Sequence, residues 1–122
     1  MTARSAKRPD KPAFHLRLKI APGVDFGPGK AQLLEQLAET GSITAAAKAM
    51  RMSYRRAWLL LDEMNRQFKA PLARMAKGGA GGGGADLTAD GRAVLRLYRA
   101  AEAGAGKAVA TPVARLRRRV KP

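Results

Sequence analysis

Residues 42–61 read SITAAAKAMRMSYRRAWLLL, and the fold turns on how this stretch is parsed. Ser42 and Ser53 both carry a hydroxyl that can accept a hydrogen bond from a free amide at a helix start. Each precedes apolar residues at helical spacing. The stretch predicts one helix from Ile43 to about Met50 and a second, beginning at Ser53, to about Phe68, with a short turn at Arg51 and Met52. Helices joined by a tight turn cross steeply only where the crossing residues are small and the facing positions apolar. Ala46, Ala47 and Met50 share one face of the first helix, Met52 sits in the turn, and Ala57 and Leu60 lie on the matching face of the second. Docking on these positions leaves the first turn of the second helix exposed, with Ser53, Tyr54, Arg55 and Arg56 on it.

That turn suits nucleic acid. A helix N-terminus offers unpaired amides and a positive dipole end to phosphate. Arginine can donate two hydrogen bonds to the acceptor edge of guanine in the major groove. Trp58 reads as a core or half-buried anchor rather than a base-stacking platform. Asp62 and Glu63, further along the helix, repel phosphate and should mark where contact stops.

Upstream, Leu33, Leu34 and Leu37 recur at helical spacing from Lys30, and Gly41 is a C-terminal stop, so a helix should end near Thr40. Phe14, Leu16, Leu18 and Ile20 alternate with His15, Arg17 and Lys19, the pattern of a strand with one buried face. Pro22 to Gly29 holds three glycines and two prolines and reads as a loop. Residues 1–12 read as a disordered basic arm.

Downstream, Pro71 ends the long helix. Leu72–Ala76 and Ala85–Leu87 predict a hairpin with a glycine-rich tip, KGGAGGGGADLT over residues 77–88. A phosphate-binding P-loop needs Gly-Lys followed by Ser or Thr and then a helix. Here no lysine follows the glycines, so a DNA-contacting wing is the better reading, with Arg74, Lys77, Gly78 and Gly79 at its flank and tip. Thr88 can cap a last helix from Ala89 to about Ala103, with Val94, Leu95, Leu97, Tyr98 and Ala101 apolar. From residue 105 the composition turns to Ala, Gly, Pro and Arg, and a flexible basic tail is expected over 105–122.

The fold class that results is mainly α with a small β component. It is a winged helix-turn-helix over residues 13–104, with an N-terminal strand, a wing hairpin and a long C-terminal dimerisation helix. The chain has 122 residues, 24 Lys and Arg against 9 Asp and Glu, and a net charge of +15. Residues 1–23 carry +5 and residues 105–122 carry +6, leaving +4 between them. Tail charge attracts polyanions without sequence preference, so the specific case rests on the middle. With no cysteine, disulfides, thiolate zinc sites and thiol nucleophiles are excluded. No apolar run approaches the ~20 residues of a membrane span, and Pro9, Asp10, Lys11 and Pro12 interrupt any signal core. A cytoplasmic location is expected. His15, the sole histidine, lies on a polar strand face without a partner, and adjacent Asp62 and Glu63 point to different helix faces. No enzyme activity, cofactor or metal site is expected.

The runs GSITAAAKAMRMSYRRAWLLLDEMNRQF (residues 41–68) and RMAKGGAGGGGADLTADGRAVLRLYR (residues 74–99) resemble the N-terminal DNA-binding domain of the ModE-type molybdate-responsive regulators, itself similar to the winged helix of LysR-type regulators. The resemblance covers roughly residues 14–103 and rests on Gly41-Ser42-Ile43, Ser53-Tyr54, Ala57-Trp58, Asp62-Glu63-Met64-Asn65, the glycine-rich wing, and Leu87-Thr88 with Gly91. It implies a homodimer held by the first and last helices, with Leu33, Val94, Leu97, Tyr98 and Ala101 at the interface. It also implies a palindromic operator in double-stranded DNA, read by the helix from Ser53 and by the wing, with Ser42 and Thr44 supporting from the preceding helix. Full-length members continue into C-terminal molybdate-binding domains. This chain passes instead into a basic tail ending at Pro122, so molybdate binding is not expected within it. The expected function is a sequence-specific transcription regulator, with molybdenum-related genes as the implied target. The alternatives are a nonspecific nucleoid-type binder and an interaction module that needs a ligand-sensing partner.

Overall fold

The computed structural model describes residues 14–76 and 84–122. Its elements run β1 (Leu18–Ala21), β2 (Val24–Phe26), α1 (Pro28–Thr40), α2 (Ile43–Ala49), α3 (Tyr54–Gln67), β3 (Ala73–Met75), β4 (Ala85–Leu87) and α4 (Ala89–Arg117). β1–β2 and β3–β4 form separate antiparallel hairpins around the helices, which makes a winged helix-turn-helix. The expected arm, residues 1–12, lies outside the described residues, as do Lys77, Gly78 and Gly79 of the wing.

Local chemistry sets the helix ends. Gly41 closes α1 in the left-handed conformation (φ 68°), its amide donating to the Leu37 carbonyl at 2.8 Å. Glycine takes that conformation without a Cβ clash. The hydroxyl of Ser42 accepts from the Ala45 amide at 3.1 Å, that of Ser53 from Arg56 at 3.0 Å, and that of Thr88 from Gly91 at 3.0 Å. Three expected caps are thus in place.

The turn between α2 and α3 is a Schellman motif. The Met52 amide donates to Ala47 O at 3.0 Å and the Arg51 amide to Lys48 O at 3.1 Å, with Arg51 left-handed at φ 58°. An L-residue there costs roughly 1–2 kcal/mol. The sequence places the turn correctly, but without a glycine it carries no signal for this geometry.

Phe26, Leu33, Leu34, Leu37, Ile43, Leu61, Met64, Leu72 and Leu87 form the inner core, with Ala46, Ala47 and Ala57 buried at the α2–α3 crossing. Each large side chain so buried contributes about 1.5–3 kcal/mol. Leu60, expected on the crossing face, lies at the core's edge; Leu61 and Met64 fill the centre. α1 and α4 are also tied by charge. Arg99 grips Glu35 with two hydrogen bonds (2.9 and 2.7 Å) and Glu102 with a third (2.7 Å). The hydrogen bond to Glu35, followed by the one to Glu102, raises the guanidinium pKa further above its ordinary value.

Three expectations need correction. First, the stretch expected as a loop contains β2. Leu18 pairs with Phe26 and Lys19 with Asp25, Gly23 turns at φ 77°, and α1 starts at Pro28, where a proline ring presets φ. Second, the single buried face of the first strand does not hold throughout. Leu16 and Leu18 pack on the core, whereas Phe14 and Ile20 are 37% and 52% exposed. Third, residues 105–117 are not a flexible tail but the continuation of α4, through Gly104, Gly106 and Pro112. The helix is about 43 Å long at 1.5 Å per residue. Alanines sustain it, and Arg115 and Arg117 complement its negative dipole end.

Candidate nucleic-acid interface

α3 presents the site. With Ala57, Leu61 and Met64 sunk in the core, the opposite face of the helix is turned outward. Ser53, Tyr54, Arg55 and Arg56 are all exposed, Tyr54 at 45%. Among the described residues, neither Arg55 nor Arg56 is in an ion pair. The Ser53 hydroxyl accepts from the Arg56 amide and so fixes the helix start, while its own proton remains to donate. The two arginines border an open recess of about 400 Å³ shared with Glu63 and Arg66. Asp62 is held by Arg66 at 3.1 Å along the helix, which tempers its charge, while Glu63 stays exposed.

The second turn of α3 carries an apolar facet absent from the sequence reading. Leu59 is 45% exposed and lines a second recess with Tyr54, Arg55 and Trp58. Its signal was its position, one helical turn beyond Arg55. Trp58, expected in the core or as a half-buried anchor, is instead exposed at 36%, because Ala57, Leu61 and Met64 take the core-facing positions of the helix. On the preceding helix, Thr44 is exposed and Ser42 is half-buried with its hydroxyl engaged as a cap.

The wing base lies against the junction of α1 and α2. Arg74 on β3 is opposite Asp86 on β4, with a long 3.9 Å ion pair and side-chain exposures of 71% and 55%. Such exposed pairs are worth ~0–1 kcal/mol, so Arg74 can exchange its partner for a phosphate at little cost. The wing joins the helix-turn-helix through the Ala85 amide, which donates to Gly41 O at 3.1 Å, and a bridge between Ser42 and Gly84.

Of the five residues expected at a dimer interface, two are internal. Leu33 is 0% exposed and Tyr98 3%, so neither has surface to offer a second copy. Phe26, on the unexpected strand β2, stacks against the Tyr98 ring at 5.2 Å and helps to cover it. Leu97 is 70% exposed, Val94 is half-buried and Ala101 is exposed.

No helix among the described residues is long and apolar enough to cross a membrane, and no group of His, Cys, Asp or Glu there could hold a metal.

The sequence is similar to those of known regulatory proteins. The family model of the bacterial regulatory helix-turn-helix proteins of the lysR family matches residues 29–92. The molybdenum-pterin-binding protein MopB of Rhodobacter capsulatus is 41% identical over 85 residues, 70% of this chain and 32% of that protein. The transcriptional regulator ModE of Yersinia pestis is 40% identical over 83 residues, 68% of this chain and 32% of that protein. The DNA-binding transcriptional dual regulator ModE of Escherichia coli K12 gives the same figures, 40% over 83 residues, 68% and 32%. The chain spans about a third of the length of these relatives. It belongs to the lysR family of bacterial regulatory helix-turn-helix proteins, with a winged helix of the ModE N-terminal type.

Proposed function

We propose that the chain is a sequence-specific, DNA-binding transcription regulator that acts as a homodimer on a two-fold operator of molybdenum-related genes. The capped, cation-bearing first turn of α3 is the observation that carries this reading. Its arginines are exposed and lack internal partners among the described residues. Arg55 and Arg56 read base edges, and Arg74 with the wing holds the flanking backbone. The molybdenum assignment draws on the names of the relatives above.

Homodimerisation is supported by an apolar groove of about 230 Å³ between β1 and α4, where Ile20 and Leu97 are 52% and 70% exposed beside Leu18 and Val94. An apolar patch of this kind favours burial against another surface. Two copies related by a two-fold axis would set their α3 helices in successive major grooves, about 34 Å apart.

The test is a selection of bound duplexes from random sequence. Binding to the selected site should exceed binding to random duplex by ~10³ or more at physiological salt. Arg55→Ala or Arg56→Ala should cost ~1–3 kcal/mol and relax preference at one base position. Removing residues 115–122, with Arg115, Arg117, Arg118, Arg119 and Lys121, should instead weaken all sequences alike and flatten the salt dependence. Equal competition by random DNA, with both arginine variants unaffected, would make the chain a nonspecific binder.

A further inference from the structure

We propose that Asn65 is a positioning residue for DNA binding. It locks the base of the wing to the recognition helix, so that Arg74 and the first turn of α3 meet the duplex as one rigid piece. The proposal rests on the reading of α3 and Arg74 given above.

Asn65 lies in the last turn of α3. Its Oδ1 accepts from the Leu72 amide at 2.9 Å and from the Ala73 amide at 3.0 Å, and its Nδ2 donates to Ala73 O at 2.9 Å. The next residue along β3 is Arg74. One side chain on the recognition helix therefore binds the backbone at the point where the wing begins. A carboxamide suits this because it accepts and donates from one planar group. Aspartate lacks the donor, and alanine lacks both.

Leu72 is held from the other side as well. Its carbonyl accepts from the Thr88 amide at 2.9 Å and the Thr88 hydroxyl at 3.1 Å, and its side chain is 1% exposed. Its amide, carbonyl and side chain are all fixed, so the start of β3 has no free direction. The wing needs such an anchor. β3 and β4 have three residues each, and a two-stranded hairpin is marginal by itself. Its orientation must come from outside its own ladder. Among the described hydrogen bonds, Asn65 is the tie that α3 supplies to it.

The experiment measures binding of Asn65→Ala, Arg74→Ala and the double variant to a labelled duplex selected by the unsubstituted chain, well below each variant's melting temperature. Asn65→Ala should lose about tenfold in affinity, and its log–log salt slope should fall by about one, the loss of one phosphate contact. The double variant should bind no worse than the weaker single one, because Asn65 acts through Arg74. Unchanged affinity and slope in Asn65→Ala, or losses that add fully with Arg74→Ala, overturn the proposal. If Asn65→Ala fails to fold, Asn65→Asp keeps the two acceptor bonds but sets a carboxylate oxygen against the Ala73 carbonyl, and it should show a comparable loss with the same coupling.

Amide exchange at Leu72 and Ala73, read without DNA, separates the possible failures. Faster exchange in Asn65→Ala with unchanged binding overturns the positioning role and leaves the α3 reading standing. Unchanged binding in Arg55→Ala and Arg56→Ala overturns the α3 reading itself, and the positioning role with it.

Discussion

Replacing Gly91 with alanine is expected to lower the unfolding midpoint by roughly 10–20 °C, read by circular dichroism. Gly91 is buried in the first turn of α4, and its amide is capped by Thr88. A Cβ there would overlap the Leu72 carbonyl oxygen and stand 3.0 Å from its carbon. Leu72 cannot retreat, because Asn65 holds its amide, Thr88 holds its carbonyl and the core holds its side chain. Overpacking of this kind costs about 1–3 kcal/mol, and each Thr88–Leu72 hydrogen bond lost adds about 1 kcal/mol. Against this stands the helix-propensity gain of alanine over glycine, about 1 kcal/mol. The net loss is about 2–4 kcal/mol. Gly104→Ala is the matched control. The same methyl there meets nothing within 4 Å, so that variant should melt several degrees higher. A Gly91→Ala chain that melts with the wild type would remove the clamp from the account.

Tyr98→Ala should destabilise by roughly 3–5 kcal/mol, the cost of emptying an aromatic site in a core. The ring packs on Phe26 and lies 5.6 Å beneath the Arg99 guanidinium carbon. Its hydroxyl donates to Leu16 O at 2.6 Å, pinning the segment before β1 to α4. Tyr98→Phe should lose about 1–2 kcal/mol, since the ring stays and a carbonyl is left unpaired. Burial, with help from Glu102 and against Arg99, raises the Tyr98 pKa above its ordinary value of 10.0. The native chain thus holds the phenolic proton more tightly than the unfolded chain. The resulting stability is fully present below pH 10 and is lost as pH rises above it through the folded-state value. Melts at alkaline pH should therefore fall less steeply for Tyr98→Phe than for the wild type. Parallel curves would mean that this hydroxyl does not set the alkaline limit.

Where structure follows from chemistry within a few residues, the sequence was legible. Gly41, Ser42, Ser53 and Thr88 each act on amides or carbonyls within four positions, and the helix ends they mark were placed within a residue or two. The alanines at the α2–α3 crossing and the exposed Arg55 and Arg56 followed from helical periodicity. Other features depend on distant partners. β2 has three residues, too few to show alternation, and it exists because Phe26 finds Tyr98 on α4. The resemblance points to the first and last helices as an interface, but it does not say which of their apolar residues face inward, and Leu33 and Tyr98 do. Glycine and proline signals suggested that α4 ends near Ala103. Arg51 adopts the left-handed conformation with no local cue, held by the Met52–Ala47 and Arg51–Lys48 bonds.

The length of α4 gives the clamp at Leu72 a mechanical gain. From Gly91 to Arg117 the helix is a lever of about 39 Å. A tilt of 10° at its seated end carries the far end through about 7 Å, a displacement larger than one helical turn. Pro112, whose ring takes the place of an N–H to the Ala108 carbonyl, is the compliant joint in that lever. A spectroscopic label near Arg117 would therefore report small changes in how Thr88 and Gly91 sit on Leu72, much as a pointer magnifies the motion of its pivot.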